Sequence, residues 1–128
     1  MGGRYVFDTS AIIKLVELRP RESIELLRDQ ITADLALYEI GNYIWKLYRR
    51  NIVSDLNIHI NFFTRLLSTM VVEDVGLREE VIELAVKSGV TYYDAVYLWL
   101  SLKHDVPLVT EDDKLCKAAL SCIKTAQL

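Results

Sequence analysis

The feature that most constrains this fold is a repeated junction: a short apolar run that stops at polar or acidic residues and turns into a helix. Tyr5-Val6-Phe7 runs into Asp8-Thr9-Ser10, and Leu108-Val109 runs into Thr110-Glu111-Asp112-Asp113. Tyr, Val and Phe suit a pleated, buried strand, whereas Asp, Thr and Ser suit a strand end and the first turn of a helix. In an open parallel sheet, ligands gather beyond the carboxyl ends of the strands. An acid at such a junction has its backbone held by the sheet and its side chain aimed into the crevice.

The intervening sequence alternates in the same way. Ala11 to Val16 reads as a short helix, broken by Arg19-Pro20-Arg21-Glu22, and a second helix runs from Pro20 to near Asp29. Ile31-Thr32-Ala33-Asp34 is a brief strand. Leu35 to Arg50 is a long amphipathic helix whose Ile40, Tyr43, Ile44, Leu47 and Tyr48 recur at helical spacing. Asp55 to Leu67 is helical, Met70 to Val75 a strand, and Arg78 to Lys87 a helix stopped by Gly89. Tyr93 to Lys103 is apolar nearly all round, as a buried helix is. Leu108 to Thr110 is a strand, Glu111 to Leu120 a helix, and Cys122 to Ala126 an edge strand. Strands alternating with helices predict an α/β sandwich around a mainly parallel sheet, with residues 1–128 as one domain.

Composition narrows the partners. The 128 residues are 52% hydrophobic, which motivates burial against a second copy or another protein. A net charge of −3 excludes nucleic-acid binding driven by bulk positive charge, so any phosphate contact is local or metal-mediated. No apolar run is long enough to span a bilayer, and Met-Gly-Gly-Arg reads as running straight into the first strand without a signal peptide. A cytoplasmic location is therefore expected. Cys116 and Cys122, six residues apart on one helical stretch, are expected to point to different faces as free thiols. No Cys/His spacing suggests zinc, and His59 and His104 read as surface groups.

Each acid has an ordinary reading beside the functional one. Asp8 suits an N-cap. Glu39 shares a helix face with Asn42 and Lys46, as in a solvated polar stripe. Asp94 completes a capping box with Thr91. Asp112 and Asp113 are first-turn acids with Thr110 as cap. Their recurrence at one edge of one sheet is what capping explains poorly. Carboxylates gathered there repel one another, and a hard divalent cation, Mg²⁺ or Mn²⁺, resolves the conflict.

With these residues in order, the chain resembles PIN domains, especially the toxin nucleases of VapBC toxin–antitoxin pairs. The matching pieces are Val6-Phe7-Asp8-Thr9-Ser10, Glu39-Ile40-Gly41-Asn42, Tyr93-Asp94-Ala95-Val96-Tyr97-Leu98 and Leu108-Val109-Thr110-Glu111-Asp112. The resemblance implies a three-layer sandwich and metal-dependent endoribonuclease activity with one or two Mg²⁺ or Mn²⁺ ions. It implies Asp8, Glu39, Asp94 and Asp112 as catalytic and metal-holding acids, supported by Thr9, Ser10, Asn42 and Thr110, with Asp113 as a further acid. It also implies an RNA substrate and a VapB-type antitoxin, while the apolar composition motivates a homodimer. Lys46, Arg49 and Arg50 stand ready to guide RNA, or form a solvated helix end. Two other readings compete. An aspartate-dependent phosphatase would show D-x-D after the first strand, but Ser10 stands at the second position. A non-catalytic PIN-like interaction module would be expected to have lost acids, and none is missing.

Overall fold

A computed structural model describes residues 4–128; the reading of Met-Gly-Gly concerns a stretch outside the described residues. Five short strands form one sheet in the order β3-β2-β1-β4-β5, with every pairing parallel. They are β1 (Val6–Phe7), β2 (Ile31–Ala33), β3 (Val71–Glu73), β4 (Leu108–Val109) and β5 (Cys122–Ile123). The helices are α1 (Thr9–Leu18), α2 (Ser23–Leu27), α3 (Leu35–Arg49), α4 (Leu56–Ser68), α5 (Glu79–Ser88), α6 (Tyr92–His104) and α7 (Asp113–Ala118). A 3₁₀ turn spans Thr125–Gln127. The parallel α/β sandwich expected from the alternation is the architecture found.

The sheet separates two apolar layers because successive strand residues face opposite sides. Val6, Ile31, Ala33 and Leu108 pack with Val81, Val96 and Leu100, beneath α5 and α6. Phe7 and Val109 pack on the other side with Ile12, Leu15, Ile40, Ile44 and Phe63, beneath α1, α3 and α4. Thr32 is fully buried, and its hydroxyl donates to the Phe7 carbonyl at 2.8 Å. Val6 pairs with both Ile31 and Leu108, which centres β1 and carries the chain into Asp8 at the middle of the sheet edge.

Several boundaries differ from the sequence reading, for local reasons. The helix expected from Pro20 begins only at Ser23 and stops before Arg28. The chain then turns through Asp29, whose φ of 64° lies in the left-handed region. The last helix begins after Asp112 and is over by Ala118, so the stretch from Glu111 to Leu120 is helical only in its middle. The strand expected to run to Ala126 ends at Ile123. Gly89 does stop α5, with φ 68°.

The cysteines correct an expectation. They are not free thiols on one helix: Cys116 and Cys122 form a disulfide, with Cα atoms 5.4 Å apart. Because α7 ends at Ala118 and Ala119 is extended, the chain folds back and brings β5 alongside the helix. His104 is likewise no plain surface group, since its ring meets Glu73, which also accepts from Lys103 at 2.8 Å. Burial raises the Glu73 pKa, but these two partners outweigh it and hold the carboxyl below its ordinary range. Among the described residues no helix is long and apolar enough to cross a membrane.

Candidate active site

Asp8 leaves the end of β1 as the N-cap of α1, so its backbone is fixed by a strand on one side and a helix on the other. Its carboxylate is only 6% exposed and is enclosed by donors. Oδ1 accepts from the Ala11 N–H at 2.9 Å and from the Ser10 hydroxyl at 2.7 Å; Oδ2 accepts from Thr110. Burial nevertheless wins, raising its pKa, with the charge of Glu39 adding to the rise. The capping reading of Asp8 is therefore realised, by a carboxylate that also faces the charge of Glu39.

Glu39 comes from the second turn of α3. Its Oε1 accepts the Thr9 hydroxyl at 2.8 Å and the Tyr97 hydroxyl at 2.7 Å. Tyr97 was missed by the motif argument. The available signal was a tyrosine inside an apolar helix, because a buried phenol requires a hydrogen-bond partner. Its ring is 3% exposed, and burial first, then the charges of Glu39 and Asp8, drives its pKa far up. The phenol stays a proton donor at any ordinary pH.

Asp94 lies in the first turn of α6, where its N–H donates to the capping Thr91 hydroxyl at 3.1 Å. Its pKa is raised by burial first, with the nearby acids Asp112 and Glu39 adding to the rise against a hydrogen bond with Thr91. Asp112 is exposed and caps α7: Oδ1 accepts from Lys114 N–H at 2.9 Å and Leu115 N–H at 3.2 Å. Thr110, fully buried, accepts the Asp112 N–H at 3.1 Å, while Ser10 accepts the Glu111 N–H at 3.1 Å. Strand ends and helix starts thus bring Asp8, Thr9, Ser10, Glu39, Asp94, Thr110 and Asp112 to one edge.

Other candidates stand apart. Asp113 turns to Lys124, at 2.6 Å, and that partner lowers its pKa. Asn42 is exposed, one turn beyond Glu39 on α3. Lys46, Arg49 and Arg50 are exposed at the far end of α3, with Arg49 stacked over Trp45. Arg50 lies about 16 Å along the helix from Glu39 at 1.5 Å per residue.

The donor set is entirely oxygen, as hard divalent cations prefer. Among the described residues, Glu39 Oε2 and Asp112 Oδ2 accept no hydrogen bond, and the Asp94 carboxylate meets the Thr91 hydroxyl; all three acids retain lone pairs for a ligand. Among the described residues, no three acids, histidines or cysteines stand close enough to share one ion as they are placed. The chemistry of the set fits such an ion.

The PIN domain family pattern covers residues 5–120. Exonuclease VapC9 of Pyrobaculum aerophilum is 33% identical over 116 residues, covering 87% of this chain and 82% of that protein. Ribonuclease VapC3 of the same organism is 31% identical over 122 residues, covering 89% and 93%. Among solved structures, PAE2754 from Pyrobaculum aerophilum superposes with a TM-score of 0.84 at 27% identity, over 97% of this chain and 85% of that one. A chain of a toxin–antitoxin complex from Klebsiella pneumoniae gives 0.69 at 17% identity, over 94% and 97%, a likeness of fold alone. With a parallel α/β sheet and the family pattern running over residues 5–120, from the first strand past the last helix, the chain belongs to the PIN domain family.

Proposed function

We propose that this protein is a divalent-metal-dependent endoribonuclease, the toxin of a VapBC-type toxin–antitoxin pair acting in the cytoplasm. The carrying observation is the convergence of Asp8, Glu39, Asp94 and Asp112 on one edge, with mutual repulsion felt at Asp8 and Asp94. The nuclease names of the two Pyrobaculum relatives support the reading.

Glu39, Asp94 and Asp112 have oxygens available to hold Mg²⁺ or Mn²⁺, and Asp8 completes the anionic wall. When bound, such an ion supplies Lewis-acid chemistry, lowering the pKa of a water and neutralising charge on the scissile phosphate. The chain's own part is orientation. Ser10, Ala11 and Thr110 lock the Asp8 carboxylate, and Thr110 together with the α7 N–H groups sets Asp112. Water attack at phosphorus leaves a 5′-phosphate and a 3′-hydroxyl. An RNA substrate, a VapB-type antitoxin and a second copy of the chain are the partners of this reading. Exposed Leu37, Tyr38 and Trp45 on α3 and Ile60 on α4 support association with protein.

The test is cleavage of a structured RNA with Mg²⁺ or Mn²⁺, its loss with chelator, and product-end analysis. Asp8→Ala, Glu39→Ala, Asp94→Ala and Asp112→Ala should each lose most activity while staying folded. Products ending in 2′,3′-cyclic phosphate, or cleavage indifferent to chelator, would defeat the mechanism.

A further inference from the structure

Tyr97 reaches from α6 across the core edge to a carboxylate on a different helix. Its hydroxyl lies 2.7 Å from Glu39 Oε1 and 3.0 Å from Thr9 Oγ1, and Thr9 Oγ1 lies 2.8 Å from the same Glu39 oxygen. Three oxygens from α6, α1 and α3 form a closed triangle between residues 30, 58 and 88 positions apart in sequence. The two hydroxyls carry two protons, and directing both at Oε1 satisfies the only charged corner. The ring is almost wholly buried and packs with Val96, Leu98 and Leu100. A phenylalanine would fill that volume equally well, so the hydroxyl serves the carboxylate rather than the packing.

We propose that Tyr97, with Thr9, is a positioning residue for Glu39: it pins Oε1 and leaves Oε2 as the oxygen offered to the divalent cation. A glutamate has three side-chain torsions, and left free it samples several rotamers. Two donors on one oxygen remove most of that freedom before a ligand arrives. They also spare the ligand from having to order the side chain. The inference rests on the metal-dependent reading above and adds to it a residue on the helix of Asp94 that acts through Glu39 without touching RNA.

The experiment combines Mn²⁺ titration by calorimetry with RNA cleavage kinetics on wild type, Tyr97→Phe, Thr9→Val, Glu39→Gln and the Tyr97→Phe/Glu39→Gln double variant. Loss of a group that orients a metal ligand weakens binding or activity about 10–100-fold. Tyr97→Phe should therefore weaken Mn²⁺ binding by about tenfold and lower kcat in step, with KM for RNA within about twofold of wild type. In the Glu39→Gln background, Tyr97→Phe should add little, because its effect passes through the glutamate. Unchanged Mn²⁺ affinity in Tyr97→Phe would overturn the assignment, as would losses that multiply in the double variant. Should Tyr97→Phe fail to fold, Thr9→Val removes the other donor and faces the same two criteria. Wild type that binds Mn²⁺ but cleaves no RNA would overturn the nuclease reading, with the Mn²⁺ cycle still deciding the role of Tyr97. Wild type without saturable Mn²⁺ binding would overturn both.

Discussion

Thr110 donates its hydroxyl to Asp8 Oδ2, tying the ends of β4 and β1 together across 102 positions of sequence. Thr110 Oγ1 itself accepts the Asp112 N–H at 3.1 Å, so one buried threonine serves the most enclosed acid and an exposed one. Thr110→Val keeps the shape and removes both interactions. Leaving a buried group unsatisfied costs about 1–3 kcal/mol, so denaturant unfolding should show a loss of that order. Thr110→Ser should retain most of the stability. Equal losses in Ser and Val variants would assign the effect to packing alone.

Asp94 allows the charged cluster to be read through pH. Burial and its acidic neighbours raise its folded pKa above the unfolded value. The folded state then binds more protons than the unfolded state, and stability falls as pH rises from about 4 through the raised pKa. At neutral pH, Asp94→Asn should raise the melting temperature of metal-free protein, and the gain should vanish near pH 4. Added Mg²⁺ should stabilise wild type by mass action and the variant much less. Identical Mg²⁺-induced shifts in the two would reduce Asp94 to a capping-box acid.

Asp112 and Asp113 separate cleanly by partner. Asp113 is engaged by Lys124 outside the cluster, and Asp113→Ala should leave RNA cleavage near wild type. Asp112→Ala removes both an acid and a helix cap, the latter worth about 1 kcal/mol. Asp112→Asn keeps the cap and removes the charge, so it should restore thermal stability without restoring activity. A dead Asp113→Ala beside an active Asp112→Ala would reverse the assignment.

The Cys116–Cys122 bridge closes a short loop between α7 and β5. Thiol titration under non-reducing denaturation should find no free thiol, and reduction should release two. Closing a loop of this size stabilises by about 2 kcal/mol on the chain-entropy estimate, so reduction should lower the melting temperature by about 7 °C. Two reactive thiols in the unreduced protein would contradict the bridge.

Local interactions were readable from the residues alone. Asp8, Thr91 and Asp112 each accept a backbone N–H two or three residues onward, and the apolar spacing from Leu35 to Arg50 sets one continuous helix. Such preferences act within one or two turns, so they mark where strands stop and helices start. They also placed Asp8, Asp94 and Asp112 at those starts. Tertiary packing alone decided the rest. It gave Asp113 a partner by bringing Lys124 from β5's end to it, and it folded Cys122 back onto Cys116. It also carried the Tyr97 hydroxyl to Glu39, a contact 58 residues apart with no periodicity to announce it. Contacts of that kind depend on how helices from both ends of the chain meet over one sheet, where burial forces each polar atom to find a partner.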